Sequence, residues 1–462
     1  MTYFFETYGC QMNNAESAAL DLVLRDRGWK SAGTGAEADL ILINTCAVRA
    51  TAERRVLGRI ALYGALKKKR PFTLVVTGCM AQRLGINERA VDYVMGIAAR
   101  RDFPRLLERL ERGLPLREPW AEGARDTSVS GDTFVSHEEQ PVFAPLHLEE
   151  GQFRAFLPIM RGCNNFCSYC IVPFVRGREV SRDPASILAE IRLLGERGVR
   201  EITLLGQSVN SYRWEGEVPG PGGRAAFTGR LDFPDLLELC AEALEGTPIR
   251  WIRFLSSHPK DLSSRVIRVM AGNRRFCRHL HLCVQHGSNA VLAAMNRRYT
   301  RERYLELVAE IREAMPEISL STDILIGFPG ETEADLELTA DLMEQVKFLY
   351  AYMYHFNPRE GTAAFDLPNR ISGEVKGKRL SRIIELQRRH TLELLQDRIG
   401  SRERVLIEGI SRRNADELIS RTERDEMAVF PGTPSMIGSF AEVSLLSLRG
   451  NTFLARRNNP AE

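Results

Sequence analysis

The sequence predicts an α/β multidomain chain with an N-terminal doubly wound α/β domain, a central partial (β/α) TIM-like barrel and a small C-terminal β-barrel. Three observations lead there. Two runs of alternating strand-like and helix-like patterning fill most of the chain. A stretch rich in Pro, Gly, Ser and acids, without sustained periodicity, divides them. A tail of short strand-like segments with Gly and Pro between them closes the sequence. At 462 residues the chain is long enough for roughly three domains. With 44% hydrophobic and 27% charged residues it has the make-up of an ordinary globular protein, which excludes disorder throughout.

Residues 1–112 carry "TYFFETYG", the amphipathic "NAESAALDLVLRDRGW", the apolar "DLILINTC", a helical "ERRVLGRIALYGALKKK" and "FTLVVTGC", the order of a doubly wound unit. Three strand candidates run into Cys10, Cys46 and Cys79, and the carboxyl ends of parallel strands line one crevice, so the three thiols are expected to converge. Residues 113–150 read as a surface linker. From 151 to 378 come six strand candidates, "RAFLPIM", "EITLLGQ", "IRWIRFLSS", "RHLHLCVQ", "ISLSTDILIGF" and "LYAYMYHF", mostly separated by helical stretches such as "PASILAEIRLLGERG". That order suggests a parallel barrel or part of one, with functional residues on the loops after the strands. "WEGEVPGPGGRAAFTG", 214–229, is expected to be a loop. A basic amphipathic helix, 379–400, connects to a small β-barrel module at 401–462.

No charged leader with a long apolar stretch opens the chain, and no run of about 18 apolar residues occurs, so a cytoplasmic protein with no membrane contact is expected. In a reducing compartment nine cysteines point to metal ligands before disulfides. The net charge of +3 is too small to argue for nucleic acid by itself.

"RGCNNFCSYC" sets Cys163, Cys167 and Cys170 in a C-x3-C-x2-C spacing after the first barrel strand. Thiolates on so short a loop select zinc or an iron–sulfur cluster. Zinc would need a fourth ligand from elsewhere, such as one of eight histidines. A [4Fe-4S] cluster with one iron left open explains the missing cysteine directly. Cys240, Cys277 and Cys283 show no ligand spacing, and Cys240 lies on a helix face as a core residue.

With Tyr169 as its aromatic, C-x3-C-x-aromatic-C resembles the signature of the radical S-adenosylmethionine (SAM) enzymes. "ETYGCQMNNAES", "INTCAVR" and "VTGCMAQ" resemble the N-terminal domain of the methylthiotransferases within that superfamily, and the tail resembles a TRAM domain, so the resemblance covers essentially the whole chain. It implies a catalytic [4Fe-4S] cluster on Cys163, Cys167 and Cys170, whose open iron chelates SAM and yields a 5′-deoxyadenosyl radical, and a second [4Fe-4S] cluster on Cys10, Cys46 and Cys79. Tyr169, Gly206 and Gln207 of "LLGQSVNSY", Asp323 of "STDILIGFPGET" and Ser288 of "CVQHGSN" become cofactor-binding candidates. Gly327, Gly330, Gln285 and Asn289 accompany them, and Asp323 reads equally as a helix cap or salt-bridge partner. Family members usually read Pro-x-Gln-Ser-Gly-Ser where Cys283 and His286 stand, a departure that touches this loop's contacts.

Methylthiotransferases act on isopentenyladenosine beside the tRNA anticodon, on threonylcarbamoyladenosine there, or on an aspartate of a ribosomal protein. "IVPFVRGRE" is most similar to the first type, which makes C2 of the adenine the expected target. The expected partners are then the tRNA anticodon loop and a reductant such as flavodoxin, with the chain a monomer; the sulfur donor is not indicated. Arg176, Arg178 and Arg182 are candidates for RNA phosphate, a SAM carboxylate or a helix cap. In the tail, Arg402, Arg404, Arg412, Arg413, Arg421, Arg424, Arg456 and Arg457 are candidate phosphate partners, while Phe430, Phe440 and Phe453 are the only aromatics for stacking. Lys376, Lys378, Arg379 and Arg382 either extend that surface or belong to a domain-packing helix. A noncatalytic zinc- and RNA-binding protein is the remaining alternative.

Overall fold

"LILINT", 40–45, is buried at every position, as a strand covered on both faces must be. In the computed structural model, which describes residues 1–47, 50–84, 89–116, 151–219 and 225–458, it is the middle of a five-stranded parallel sheet. The elements are β1 (Thr2–Thr7), α1 (Gln11–Asp26), β2 (Lys30–Ser31), β3 (Leu40–Thr45), α2 (Ala50–Lys67), β4 (Thr73–Gly78), α3 (Cys79–Leu84), β5 (Tyr93–Met95) and α4 (Phe103–Glu111), with strand order β2-β1-β3-β4-β5. One face of the sheet packs Tyr3, Leu40, Leu42 and Val75 against Leu20, Leu24, Phe103 and Leu107 of α1 and α4. On the other, Ile41, Ile43 and Val76 meet Val56, Ile60 and Met80 of α2 and α3. The expected linker lies, from 117 to 150, outside the described residues.

The central part runs β6 (Arg154–Pro158), β7 (Met160–Arg161), α5 (Val172–Arg176), β8 (Val180–Ser181), α6 (Pro184–Glu196), β9 (Glu201–Leu205), β10 (Arg213–Pro219), β11 (Ala225–Asp232), α7 (Phe233–Ala243), β12 (Trp251–Phe254), α8 (Ser264–Gly272), β13 (His279–His281), α9 (Asn289–Ala294), α10 (Arg301–Ala314), β14 (Ser319–Ile326), α11 (Glu333–Val346) and β15 (Tyr350–His355). Strands β6, β9 and β12 form one parallel sheet and β13, β14 and β15 another. Isolated parallel bridges Ile252↔Phe276 and Ser257↔Leu282 join their neighbouring edges. Apolar side chains of these strands and of the helices between them form the largest core of the molecule, which also takes in Met12 and Ala15 of α1.

Within the segment 214–229, expected as a loop, the described residues form a strand pair: Trp214–Val218 runs antiparallel to Phe227–Leu231, while 220–224 lie outside the described residues. Its glycines mask an alternating polar and apolar pattern, Trp-x-x-x-Val against Phe-x-x-x-Leu, and Gly216 pairs with Gly229 across the ladder.

Helix α12 (Gly373–Gln396) leads to β16 (Arg402–Ile410), β17 (Glu417–Thr422), β18 (Met427–Pro431), β19 (Phe440–Arg449) and β20 (Thr452–Arg457), a closed barrel in the order β16-β17-β18-β20-β19. It docks on the floor of the central unit. Phe440 meets Trp251 edge-on at 4.9 Å, the buried Arg253 guanidinium donates to Thr422 O (2.8 Å) and Glu423 O (3.1 Å), and Tyr350 donates to Asp425 (2.7 Å). Among the described residues no helix is long and apolar enough to cross a membrane.

Candidate active site

Strands β1, β3 and β4 lie in register, Thr7 opposite Asn44 and Thr45 opposite Gly78, so their carboxyl ends are level. Cys10, Cys46 and Cys79 follow those ends. Gly9 adopts φ +144°, and a Cβ there would stand 2.9 Å from Cys46 Cβ, so the backbone before Cys10 passes directly over Cys46. Buried Asn13 ties the turn together, donating to Asn44 Oδ1 (3.0 Å) and Thr45 O (2.9 Å), while the Cys10 thiol donates to Asn13 Oδ1 (3.3 Å). Cys46 and Cys79 are buried and Cys10 is exposed.

The second set follows β7. Gly162 has φ +74°, with a hypothetical Cβ 1.9 Å from Arg178 O, so only glycine fits where the loop turns into Cys163. Backbone bonds hold the loop: Cys163 N–H to Gly177 O (3.1 Å), Ser168 N–H to Met295 O (3.0 Å) and Cys170 N–H to Cys167 O (2.9 Å). The buried Arg297 donates to Cys167 Sγ (3.3 Å), to Cys283 O (2.6 Å) and to the Tyr299 hydroxyl (3.1 Å). Burial pushes the Cys163 thiol up to about 11 and Cys170 up to about 12, so a metal centre must displace their protons. Three thiols held on one short loop are soft donors of the kind that binds zinc or an iron–sulfur cluster.

Gln207, after β9, has a buried Oε1 without a hydrogen-bond partner, and so does Nε of Arg161, two residues before Cys163. Buried polar atoms are almost always paired in folded proteins, so each of these two atoms suits a polar ligand group. Gly206 lies against Met160, where a Cβ would come within 2.6 Å of its Cγ. Tyr169 packs beside Phe328 and Phe356. Asp323 lies 3.7 Å from His281 Nε2. The Ser288 hydroxyl donates to Asp335 (2.5 Å), and Asn289 bonds Glu302 and the Arg301 N–H. Gln285, at φ +68°, fixes the loop after β13 by bonding Asp323 O through its N–H (2.9 Å). Gly327 and Gly330 both have positive φ in the turn after β14, and the Gly327 N–H donates to buried Glu331 (2.6 Å). His286 is fully buried beside Glu331.

The two cysteine sets meet at α5. Ile171 and Val175 bury themselves with Ala47 and Cys79. Arg176, at the end of α5, donates through Nε to Cys79 Sγ (3.2 Å) and through Nη1 to Glu16 (2.7 Å), which also pairs with Arg100 (2.8 Å). Burial raises the Glu16 carboxyl, but the two guanidinium charges outweigh it and hold the group at about 2. Arg178 lies over the Phe166 ring, and Arg182 donates to the Ser186 hydroxyl (2.8 Å) and forms an ion pair with Glu190 (2.5 Å) of α6.

Comparison with known proteins follows this layout. Residues 157–343 match the radical SAM superfamily, 2–96 the uncharacterized protein family UPF0004 and 396–456 the TRAM domain. A tRNA-2-methylthio-N(6)-dimethylallyladenosine synthase of Treponema denticola is 48% identical over 99% of this chain and 100% of its own length. One from Treponema pallidum is 49% identical over 98% of both chains, and one from Bacteroides thetaiotaomicron 41% over 95% and 92%. The chain belongs to the tRNA-2-methylthio-N(6)-dimethylallyladenosine synthase family. As a member of that family it is a SAM-dependent radical enzyme. In fold it also resembles a radical SAM methyltransferase, TsrM, from Kitasatospora setae, at TM-score 0.57 and 15% identity over 79% of this chain and 74% of that one.

Glu16, Arg100 and Arg297 were not legible as site residues in this synthase-family sequence. Arg100 and Arg297 lie on helical or turn segments with no motif around them, Arg297 130 residues from Cys167, and Glu16, though inside the stretch that carries Cys10, gains its role only from Arg100 and Arg176. The tail aromatics prove structural: Phe430 and Phe453 fill the small barrel and Phe440 packs on Trp251. Arg421 and Arg424 are turned to acids within or beside that barrel, whereas Arg402, Arg412, Arg413, Arg456 and Arg457 are exposed. On α12, Arg379 pairs with Glu331 and Glu333, Arg382 with Glu337 and Lys378 with Glu374, and Lys376 donates to Phe356 O (3.1 Å).

Proposed function

We propose that the chain methylthiolates C2 of N6-isopentenyladenosine in the anticodon loop of tRNA, giving 2-methylthio-N6-isopentenyladenosine. The observation that carries the reading is the adjacency of two three-cysteine sets at α5, in a chain that matches tRNA-2-methylthio-N(6)-dimethylallyladenosine synthases from end to end. Cys163, Cys167 and Cys170 hold one [4Fe-4S] cluster and Cys10, Cys46 and Cys79 a second. When bound, these clusters and SAM supply the radical that activates the adenine C–H bond, the sulfur and the methyl group.

The residues of the chain set the stage for that chemistry. Gln207 and Arg161 meet the polar end of SAM with their unpartnered buried atoms, and Gly206 keeps the turn before Gln207 close against Met160. Tyr169, Asp323 and Ser288 border the same space. Arg297 stabilises the Cys167 thiolate with a charge-assisted hydrogen bond, and Arg176 does the same for Cys79. We read the six parallel strands β6, β9, β12, β13, β14 and β15 as one open barrel wall that shields the site from water, and the N-terminal sheet as a doubly wound unit covering its mouth. A base must be splayed from its loop to enter. The exposed Arg402, Arg412, Arg413, Arg456 and Arg457 offer phosphate contacts to the tRNA. A reductant such as flavodoxin delivers electrons, and the enzyme works as a cytoplasmic monomer.

The division of labour is testable in anaerobically reconstituted protein. Cys163→Ala abolishes formation of 5′-deoxyadenosine from SAM, whereas Cys46→Ala spares it and stops methylthiolation. Equal loss of cleavage in both variants contradicts the assignment.

A further inference from the structure

Across Arg297 from Cys167, three ligand-bearing side chains that belong to neither cysteine set converge within the central strands. His281 ends β13, Cys283 follows two residues later, and Asp323 lies on the neighbouring β14. One ligand atom from each lies within 4.8 Å of the other two, and His281 Nε2 stands 3.7 Å from the Asp323 carboxylate.

The surroundings fix all three. His281 Nδ1 bonds Ser321 Oγ (2.9 Å), and that hydroxyl also meets His279 Nε2 (2.8 Å), so the imidazole is oriented with Nε2 toward Asp323. An outer partner on the second ring nitrogen is the usual companion of a metal-ligating histidine. Cys283 is pinned through its backbone, its N–H on Ser257 O (3.2 Å) and its carbonyl on Arg297 Nη2 (2.6 Å) and the Tyr299 hydroxyl (3.3 Å). Asp323 is held in the ladder opposite Tyr352, and its side chain keeps 30% of its surface exposed, which leaves a path of entry. The ring of Tyr352 stands edge-on to His281 at 5.8 Å.

We propose that His281 Nε2, Cys283 Sγ and the Asp323 carboxylate form a binding site for a divalent d-block cation of the zinc class that lies beside the Cys167 loop and uses none of the six cluster cysteines. One sulfur, one nitrogen and one oxygen donor match that class, and three protein ligands leave a fourth position for an exogenous donor. The donors come from rigid strands and the turn that Arg297 braces, which favours a defined geometry over an adaptable one. The site goes beyond the methylthiolation reading, borders the cofactor space of that reading through Asp323, and does not depend on the RNA substrate.

The test uses the holoenzyme with its iron loaded anaerobically, exposed to zinc chloride and desalted, with zinc and iron measured by mass spectrometry and the zinc environment read by X-ray absorption at the zinc edge. The expected result is about one zinc per chain, with a single sulfur neighbour and the iron content unchanged. Cys283→Ser and Asp323→Asn each lower zinc retention by more than about tenfold while keeping the iron and the thermal midpoint of the parent. No retained zinc, zinc that persists in both variants, or zinc with three or four sulfur neighbours overturns the proposal; the last marks a misloaded cysteine set.

Discussion

Glu16 sits between Arg100 and Arg176 at the seam between the N-terminal sheet and the cysteine loop, with 16% of its side chain exposed. Removing its charge leaves two guanidinium groups facing each other, so Glu16→Gln is expected to cost about 3 kcal/mol at neutral pH by urea unfolding of the cluster-free protein. The sign of the pH dependence follows from its lowered value. A carboxyl held at about 2 when folded contributes fully above its ordinary value and loses that contribution as pH falls from about 4.5 toward 2. The stability gap between parent and variant therefore closes over that interval, and a gap independent of pH contradicts the pairing. Residues of this kind explain the limits of the sequence. The six cysteines announce themselves by spacing and by their place after apolar runs, whereas Arg176 gains its meaning only when α5 meets Cys79, 97 residues away. Arg297, 130 residues from Cys167, carries no local signal at all.

Among the elements, the cysteine loop depends on backbone geometry more than on side chains. Gly162→Ala places a methyl group against the Arg178 carbonyl at φ +74° and is expected to cost at least about 2 kcal/mol and to lower iron loading selectively at the barrel site. Gly58→Ala is the contrast, an exposed position in α2 with nothing near its Cβ, expected to stabilise the chain by up to about 1 kcal/mol in thermal unfolding. Buried parallel strands such as β3 and β4 were legible because both faces need apolar residues. The β10–β11 hairpin was not, since glycine and proline are loop signals that outweigh a short alternating pattern. The basic stretch on α12 reads from composition as either a nucleic-acid surface or a domain-packing helix, and Arg379 and Arg382 are matched by Glu333 and Glu337 of α11, a pairing that only the packing of two helices creates.

For the whole molecule, the N-terminal sheet brings one thiol set and the central strands the other to α5, while the small barrel, docked on the floor of the central unit, presents an exposed arginine surface braced on Arg253 and Tyr350. Replacing Arg412 and Arg413 by alanine is expected to weaken tRNA binding and to reduce the slope of log affinity against log salt by about 1 to 2, with SAM cleavage in the absence of tRNA unchanged. An unchanged salt slope would assign RNA contact to another face. The most direct test of the central claim is nucleoside mass spectrometry of tRNA from a strain lacking this chain. Loss of 2-methylthio-N6-isopentenyladenosine with accumulation of N6-isopentenyladenosine, both reversed by the wild-type chain but not by Cys163→Ala, is the predicted result; an undiminished level of the methylthiolated nucleoside would contradict it.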